Sequence, residues 1–339
     1  MAKILCAGEA LIDVVVGPDG VVQGEHPGGS VFNVARGLAR LGVDTTLASW
    51  WGQDARGQLL RSAADEAGLK IFPDSDSAAT TPVARATLDA NGVATYEFEL
   101  TWDLPDGFGA DSLKASAATA SSPDNGPFRN EGSACPHYGH LHLGSYSTLV
   151  EPGAGKIATL LKSKKEIEGL TVSYDPNLRP ALVSDLEAAR ARVEEIVKES
   201  DLVKASEEDL EFLYPGVDRR KVAEQWLGGR WERRGPGAQI VVVTRGGEGA
   251  ELFTPWLPAP LTAPAGAVEV VDTVGAGDSF MAGLLAALDE NRGLGFGRTA
   301  LSTLDPEELQ ECLDFAAATS AATVARAGAY SPTREEISA

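Results

Sequence analysis

Short apolar runs alternate along this chain with stretches whose apolar positions recur at helical spacing, an order that predicts an α/β protein. Residues 3–16 are apolar enough for a buried strand, closed by the turn-rich GPDG at 17–20. Ser30 can cap a helix in which Val31, Val34, Ala35, Leu38 and Leu41 share one face. TTLASWWG resumes a strand, and residues 57–67 give a helix stopped at Gly68. Residues 84–100 differ: two alternating runs flank Asn91-Gly92, a strong hairpin signal, so a small antiparallel element interrupts the βαβ order. From His140 the strands HLHLG, LTVSYD, DLVKAS, QIVVVTRG and VEVV alternate with helices near 153–165, 185–199 and 207–213, and a long Ala/Leu helix follows the last strand. That succession implies a mostly parallel sheet covered on both faces. The Ser/Pro/Gly-rich residues 120–136 read as a surface loop, and no internal repeat is visible.

With 339 residues, 43% of them hydrophobic, the chain can bury a large core, as one α/β domain with an elaboration or as two unequal lobes. No run approaches the roughly 18–20 apolar residues of a membrane span. Glu9 and Asp13 stand where a signal peptide would be cleaved, so the expected setting is cytoplasmic, without a membrane partner. Cys6, Cys135 and Cys312 are odd in number and far apart, and imply no disulfide framework. A formal charge of −20 argues against nucleic acid, whose phosphates it would repel. Any phosphate must be held by local backbone donors and bound cations.

EPGAGKIATL at 151–160 places Val150 and Ile157 where a Walker loop needs Gly and Ser or Thr, and no GxGxxG follows a strand. DTVGAGDSF at 272–280 is the stronger candidate. Its Gly275-Ala276-Gly277 opens the Ala/Leu helix, so unpaired amides and the positive helix end define an anion site. Asp278 adds a carboxylate that can take a proton from a hydroxyl, or merely cap the helix. In PGGSVFN, Gly28 and Gly29 allow close approach to a ligand, and Asn33 offers an amide to hydroxyls unless it is simply a solvated helix residue. Asp13 ends the first apolar run, where open α/β sheets bind ligands, or caps that strand. CPHYGHLH gathers Cys135, His137, His140 and His142, but its spacing fits no standard zinc pattern; a strand passing a substrate pocket explains it better.

DTVGAGDSF, and upstream PGGSVFNVARGLARLG at 27–42, resemble the two signatures of the PfkB, or ribokinase-like, family of small-molecule kinases, and the likeness runs over residues 3–336. The resemblance implies a ribokinase-like three-layer αβα sandwich with a mostly parallel central sheet, one domain over 1–339, and a small β-sheet lid from segments 14–26 and 84–104. It implies ATP-dependent phosphorylation of a sugar hydroxyl, with Mg²⁺ and K⁺ as ions. Asp278 is then the catalytic base, and Gly275, Ala276 and Gly277 form the anion hole. Asp13 binds sugar hydroxyls, Asn33 contacts the substrate, and Tyr96 or Phe98 closes over it. Thr244, Gly246 and Gly249 match the nucleotide turn. Ala317, where an Asn is common, lies on the adenine-side helix, with Gly328 and Ala329 after it. Ser206-x-x-Asp209 stands for the family's Asn-x-x-Glu, so Asp209 would orient a water on Mg²⁺, while Asp272 and the Val274 carbonyl would lie beside a monovalent cation. KASEED and SYDPNLRP look most like fructokinases, with Arg179 contacting substrate or phosphate, or pairing with an acid. The 2-keto-3-deoxygluconate kinases share much of this, and ribokinase or nucleoside kinase activity stays open. A catalytically silent sugar-binding sensor is the non-enzyme alternative. Family members often dimerise through the lid, so a homodimer is expected.

Overall fold

The computed structural model describes residues 1–89, 94–114, 138–228 and 237–338, less the side chains of Ala94, Tyr96 and Ser338. In chain order the strands are β1 (Ile4–Ala7), β2 (Leu11–Val16), β3 (Val22–Gly28), β4 (Thr45–Ala48), β5 (Lys70–Ile71), β6 (Val83–Leu88), β7 (Ala94–Glu99), β8 (His140–Gly144), β9 (Thr171–Asp175), β10 (Leu202–Ser206), β11 (Ile240–Thr244), β12 (Ala250–Phe253) and β13 (Leu261–Ala263). The helices are α1 (Ser30–Arg40), α2 (Ala55–Glu66), α3 (Ala110–Leu113), α4 (Gly153–Lys162), α5 (Leu186–Glu199), α6 (Glu207–Leu213), α7 (Arg219–Trp226), α8 (Ala276–Glu290), α9 (Arg298–Leu301), α10 (Pro306–Val324) and α11 (Arg334–Ser338).

Nine strands form the main sheet in the order β13-β12-β11-β10-β9-β8-β1-β4-β5, parallel except at β12 and β13. Alternation along the strands builds two cores. Ile4, Cys6, Leu202 and Val242 pack with α1, α8 and α10, whereas Leu5, Ala7, Val203 and Val243 pack with α4, α5 and α6. This is a three-layer αβα sandwich. A second sheet, β3-β2-β6-β7, adjoins it. Its hairpin pairs Ala84 with Phe98, while Asn91-Gly92 lies outside the described residues, as do residues 120–136, Cys135 and His137.

Two expectations change. Residues 3–16 form two strands in different sheets, broken at Gly8, where a Cβ would run into Val31 of α1. VEVV (268–271) is not a strand, because the antiparallel β12 and β13 already finish the sheet. The amides of Val271 and Asp272 bond the Val324 carbonyl at the end of α10 instead, at 2.8 and 3.2 Å. This leaves Val270 and Val271 exposed.

The helix crossings fix the site. A Cβ on Gly37 would stand 2.8 Å from the Cβ of Ala282, so glycine lets α1 and α8 touch closely at that level. One helical turn earlier on each helix stand Asn33 and Asp278, which are thereby brought face to face. Gly283 does the same for α8 and α10 against Thr319.

Candidate active site at the carboxyl edge of the sheet

Asp278 lies in the first turn of α8 and is buried. Its Oδ2 accepts from Asn33 Nδ2 at 2.9 Å, and its Oδ1 from Ser30 Oγ at 2.7 Å and Asn177 Nδ2 at 3.2 Å. Asn177 Nδ2 also donates to Ser30 Oγ at 2.7 Å, which ties the loop after β9 to the start of α1. Asn177 has φ 35°, a left-handed value that a short Asn tolerates. Asn33 thus meets the base-candidate carboxylate directly, and its own Oδ1 has no hydrogen-bond partner among the described residues.

The paired glycines make room for Asp13 and for the backbone at Glu9. A Cβ on Gly28 would collide with the Asp13 carboxylate, and one on Gly29, at φ 104°, would lie 2.7 Å from the Glu9 carbonyl oxygen. Their first role is therefore to let the end of β3 approach β2 and the link between β1 and β2. Against expectation, Asp13 does not end a strand of the parallel sheet but is the third residue of β2 in the second sheet; it is partly buried, and burial pushes its carboxyl up to about 6 against the pull of Arg179 and His26. Glu9 is fully buried, and burial raises it to about 7, opposed by hydrogen bonding to the backbone and Ser145. Its Oε1 accepts from the Ser30 amide at 3.0 Å.

At the other side of Asp278, Gly275 caps α8 with φ 76°, and a Cβ there would come within 2.8 Å of Ala329 Cβ. The Ala276 amide bonds the Thr273 carbonyl at 3.2 Å, which subtracts it from the expected anion hole, whereas the Gly275 and Gly277 amides have no acceptor among the described residues. Asp272 braces this turn: Oδ1 accepts from the Val274 amide at 3.0 Å and Oδ2 from the Gly328 amide at 2.8 Å. The Ala329 carbonyl accepts from Arg36, so positive charge already faces that loop beside Asp272.

Asp209 caps α6. Its Oδ2 accepts from the Ser206 amide at 3.0 Å and hydroxyl at 2.7 Å, and its Oδ1 from the Leu178 amide at 2.7 Å. Of the roughly four lone-pair directions of a carboxylate, one on Oδ1 is left for a water, so Asp209 fits a divalent cation only at that remove. Asn177, Arg179, Ser206 and Asp209 line one cleft. Arg179 Nη1 donates to Asn177 Oδ1 at 2.6 Å, a carboxamide rather than the acid partner weighed above. Thr244, Gly246 and Gly249 form the β11–β12 bend, closed by the Arg245 amide on the Gly249 carbonyl at 2.8 Å. Ala317 is half-buried on α10, well along the helix from the Gly328 turn. Phe98 is half-buried on β7 against the cluster that holds Leu11, Ala84 and Trp102.

His140 and His142 belong to the core. His140 bonds Thr171 Oγ1 and Ser173 Oγ, both at 2.8 Å, and His142 Nδ1 bonds Ser173 Oγ at 2.9 Å. Burial lowers both imidazoles, His142 to about 3. No metal-holding cluster occurs among the described residues. The residues that sequence reasoning missed are Glu9, Ser30, Asn177, Asp175 and Lys204. Only their places beside the motifs in GEALID, GGSVFN, DPNLRP and KASEED pointed to them.

A carboxylate in the first turn of α8, met by amide and hydroxyl donors at the carboxyl edge of an open α/β sheet and with Asp13 on the adjoining sheet, suits phosphoryl transfer to a small hydroxylated molecule. Residues 1–105 and 112–336 match the pfkB family carbohydrate kinase pattern, and the chain belongs to that family. It is 32% identical over 312 residues to a fructokinase of Rhizobium leguminosarum bv. trifolii, covering 91% of this chain and 85% of the relative. Among solved structures, fructokinase from Xylella fastidiosa with bound ATP superposes with TM-score 0.76 at 26% identity, covering 99% of this chain and 97% of that one. Aminoimidazole riboside kinase from Salmonella enterica shares the fold, with TM-score 0.72, 22% identity and coverage of 99% and 98%. Among the described residues no helix is long and apolar enough to cross a membrane.

Proposed function

We propose that this protein transfers the γ-phosphoryl group of ATP to a hydroxyl of D-fructose. The observation that carries the reading is the convergence of Ser30, Asn33 and Asn177 on Asp278 at the amide-bearing end of α8. Fructose is preferred because the fructokinase likeness extends over most of the chain.

In this reading Asp13 and Asn33 hold sugar hydroxyls, and Asp278 accepts the proton of the attacking one. The new O–P bond forms as the bond to ADP breaks, and charge on the phosphoryl oxygens falls to the Gly275 and Gly277 amides. Mg²⁺ bound with the nucleotide would neutralise phosphate charge, and Asp209 would hold it through water. The nucleotide lies along the β11–β12 bend at Thr244, Gly246 and Gly249 and against α10 near Ala317, with the exposed Val270 and Val271 as apolar cover. Arg179 faces substrate or phosphate. K⁺ beside Asp272 and the Val274 carbonyl would steady the turn before α8. The small sheet is a lid on a single domain, with Phe98 toward the sugar, and its exposed Val21 and Val22 offer an edge for a homodimer. Use of ATP as the donor is compatible with a cytoplasmic setting.

A coupled ADP-release assay across fructose, 2-keto-3-deoxygluconate, ribose and nucleosides tests the reading. Fructose is expected to give the highest kcat/KM. Sugar binding with no turnover for any compound would instead favour a silent sensor. Asp278→Asn is expected to lower kcat by about 10²–10⁴ with sugar KM within a few-fold; retained turnover would remove Asp278 as the base.

A further inference from the structure

Strands β8, β9 and β10 carry polar side chains on the face they turn toward α8. Leu141, Leu143, Val172, Tyr174, Val203 and Ala205 pack in the opposite core, so by alternation His140, His142, Ser173, Asp175 and Lys204 lie beneath α8. The series ends at the carboxyl edge in a buried ion pair, Lys204 Nζ to Asp175 Oδ2 at 2.9 Å, with both side chains almost wholly covered. A Cβ on Gly277 would stand 3.4 Å from Lys204 Nζ, so the ammonium lies against the first turn of α8.

We propose that Lys204 supplies positive charge to the phosphoryl end of the site from beneath Gly277, with Asp175 holding its ammonium in place; this rests on the kinase reading. A helix N-terminus is itself positive, and the ammonium beside it is held charged by the carboxylates of Asp175, Asp209 and Asp278. Asp175 is the one ion-pair partner of the ammonium among the described residues, which leaves most of its three N–H donors for another acceptor. Asp209 on α6, Asp278 on α8 and His142 on β8 complete the charged and titratable surroundings. A buried pair seldom repays its desolvation as a packing device, and apolar residues would fill this face as well. The Gly275 and Gly277 amides, without acceptors among the described residues, point to what the pair serves: oxygens of a phosphoryl group in transfer, whose charge is spread most widely in the transition state.

Lys204→Met and the charge-balanced Lys204→Met/Asp175→Asn are compared with wild type for kcat, for KM of fructose and ATP, and for thermal unfolding. Both are expected to lose at least about 100-fold in kcat with either KM within about threefold. The double variant keeps the fold where the single one leaves Asp175 uncompensated. Ethylammonium added to Lys204→Ala is expected to restore kcat at least about tenfold while leaving wild type unchanged. A double variant within threefold of wild-type kcat, or a loss that the amine does not touch, would overturn the proposal. Wild type that turns over no sugar would overturn the kinase reading instead.

Discussion

Asp13 shows how one carboxylate serves binding against stability. Burial raises its carboxyl to about 6, so the acceptor that a sugar hydroxyl needs is present above that pH and is lost below it. The sugar KM is therefore expected to be flat above about pH 7 and to rise toward tenfold per unit below about pH 5. Asp13→Asn should start from a raised KM and lack that rise; a wild-type KM flat down to pH 5 would contradict the assignment. The sign for folding is opposite. A raised carboxyl contributes stability that is full below the ordinary carboxylate range and lost as pH rises through about 6, so the pH that favours the sugar works against the fold.

The contact between α1 and α8 is where an element decides the chemistry. Gly37 sets the helix separation, and the Asn33–Asp278 hydrogen bond of 2.9 Å one turn away depends on it. Gly37→Val must displace Ala282, and we expect a destabilisation of about 1–3 kcal/mol in urea unfolding. A fall in kcat should exceed any change in KM, because the carboxylate rather than the nucleotide bend is moved. Ala282→Gly added to Gly37→Val should recover part of both effects, as coupled neighbours do. Additive losses would place the fault elsewhere.

At the scale of the molecule, the two sheets divide the work. The nine-stranded sheet aims β9, β10 and α8 at one edge, while the β3-β2-β6-β7 sheet brings Asp13 and Phe98 to the same region. If the small sheet closes over the sugar, deleting Asn91 and Gly92 should raise fructose KM several-fold and increase ATP hydrolysis without sugar, since water is then less well excluded. An unchanged KM with tight coupling would remove the hairpin from the site.

What the sequence determined by itself is local. Period and punctuation marked α1, α5, α6 and the hairpin, and GAGD marked the start of α8, because amides at a helix start need no distant partner to be recognised. VEVV misled, since its β-branched residues suit a strand but its end is tied to the last turn of α10 and the sheet stops at β13. Only the tertiary structure decided that Gly28 makes room for Asp13, that Asn177 and Ser30 reach Asp278 from 101 and 248 residues away, and that Lys204 stands behind Gly277. Those facts depend on which strands are neighbours and how closely helices cross, and side-chain volumes meeting across layers are not written in any one stretch of the chain.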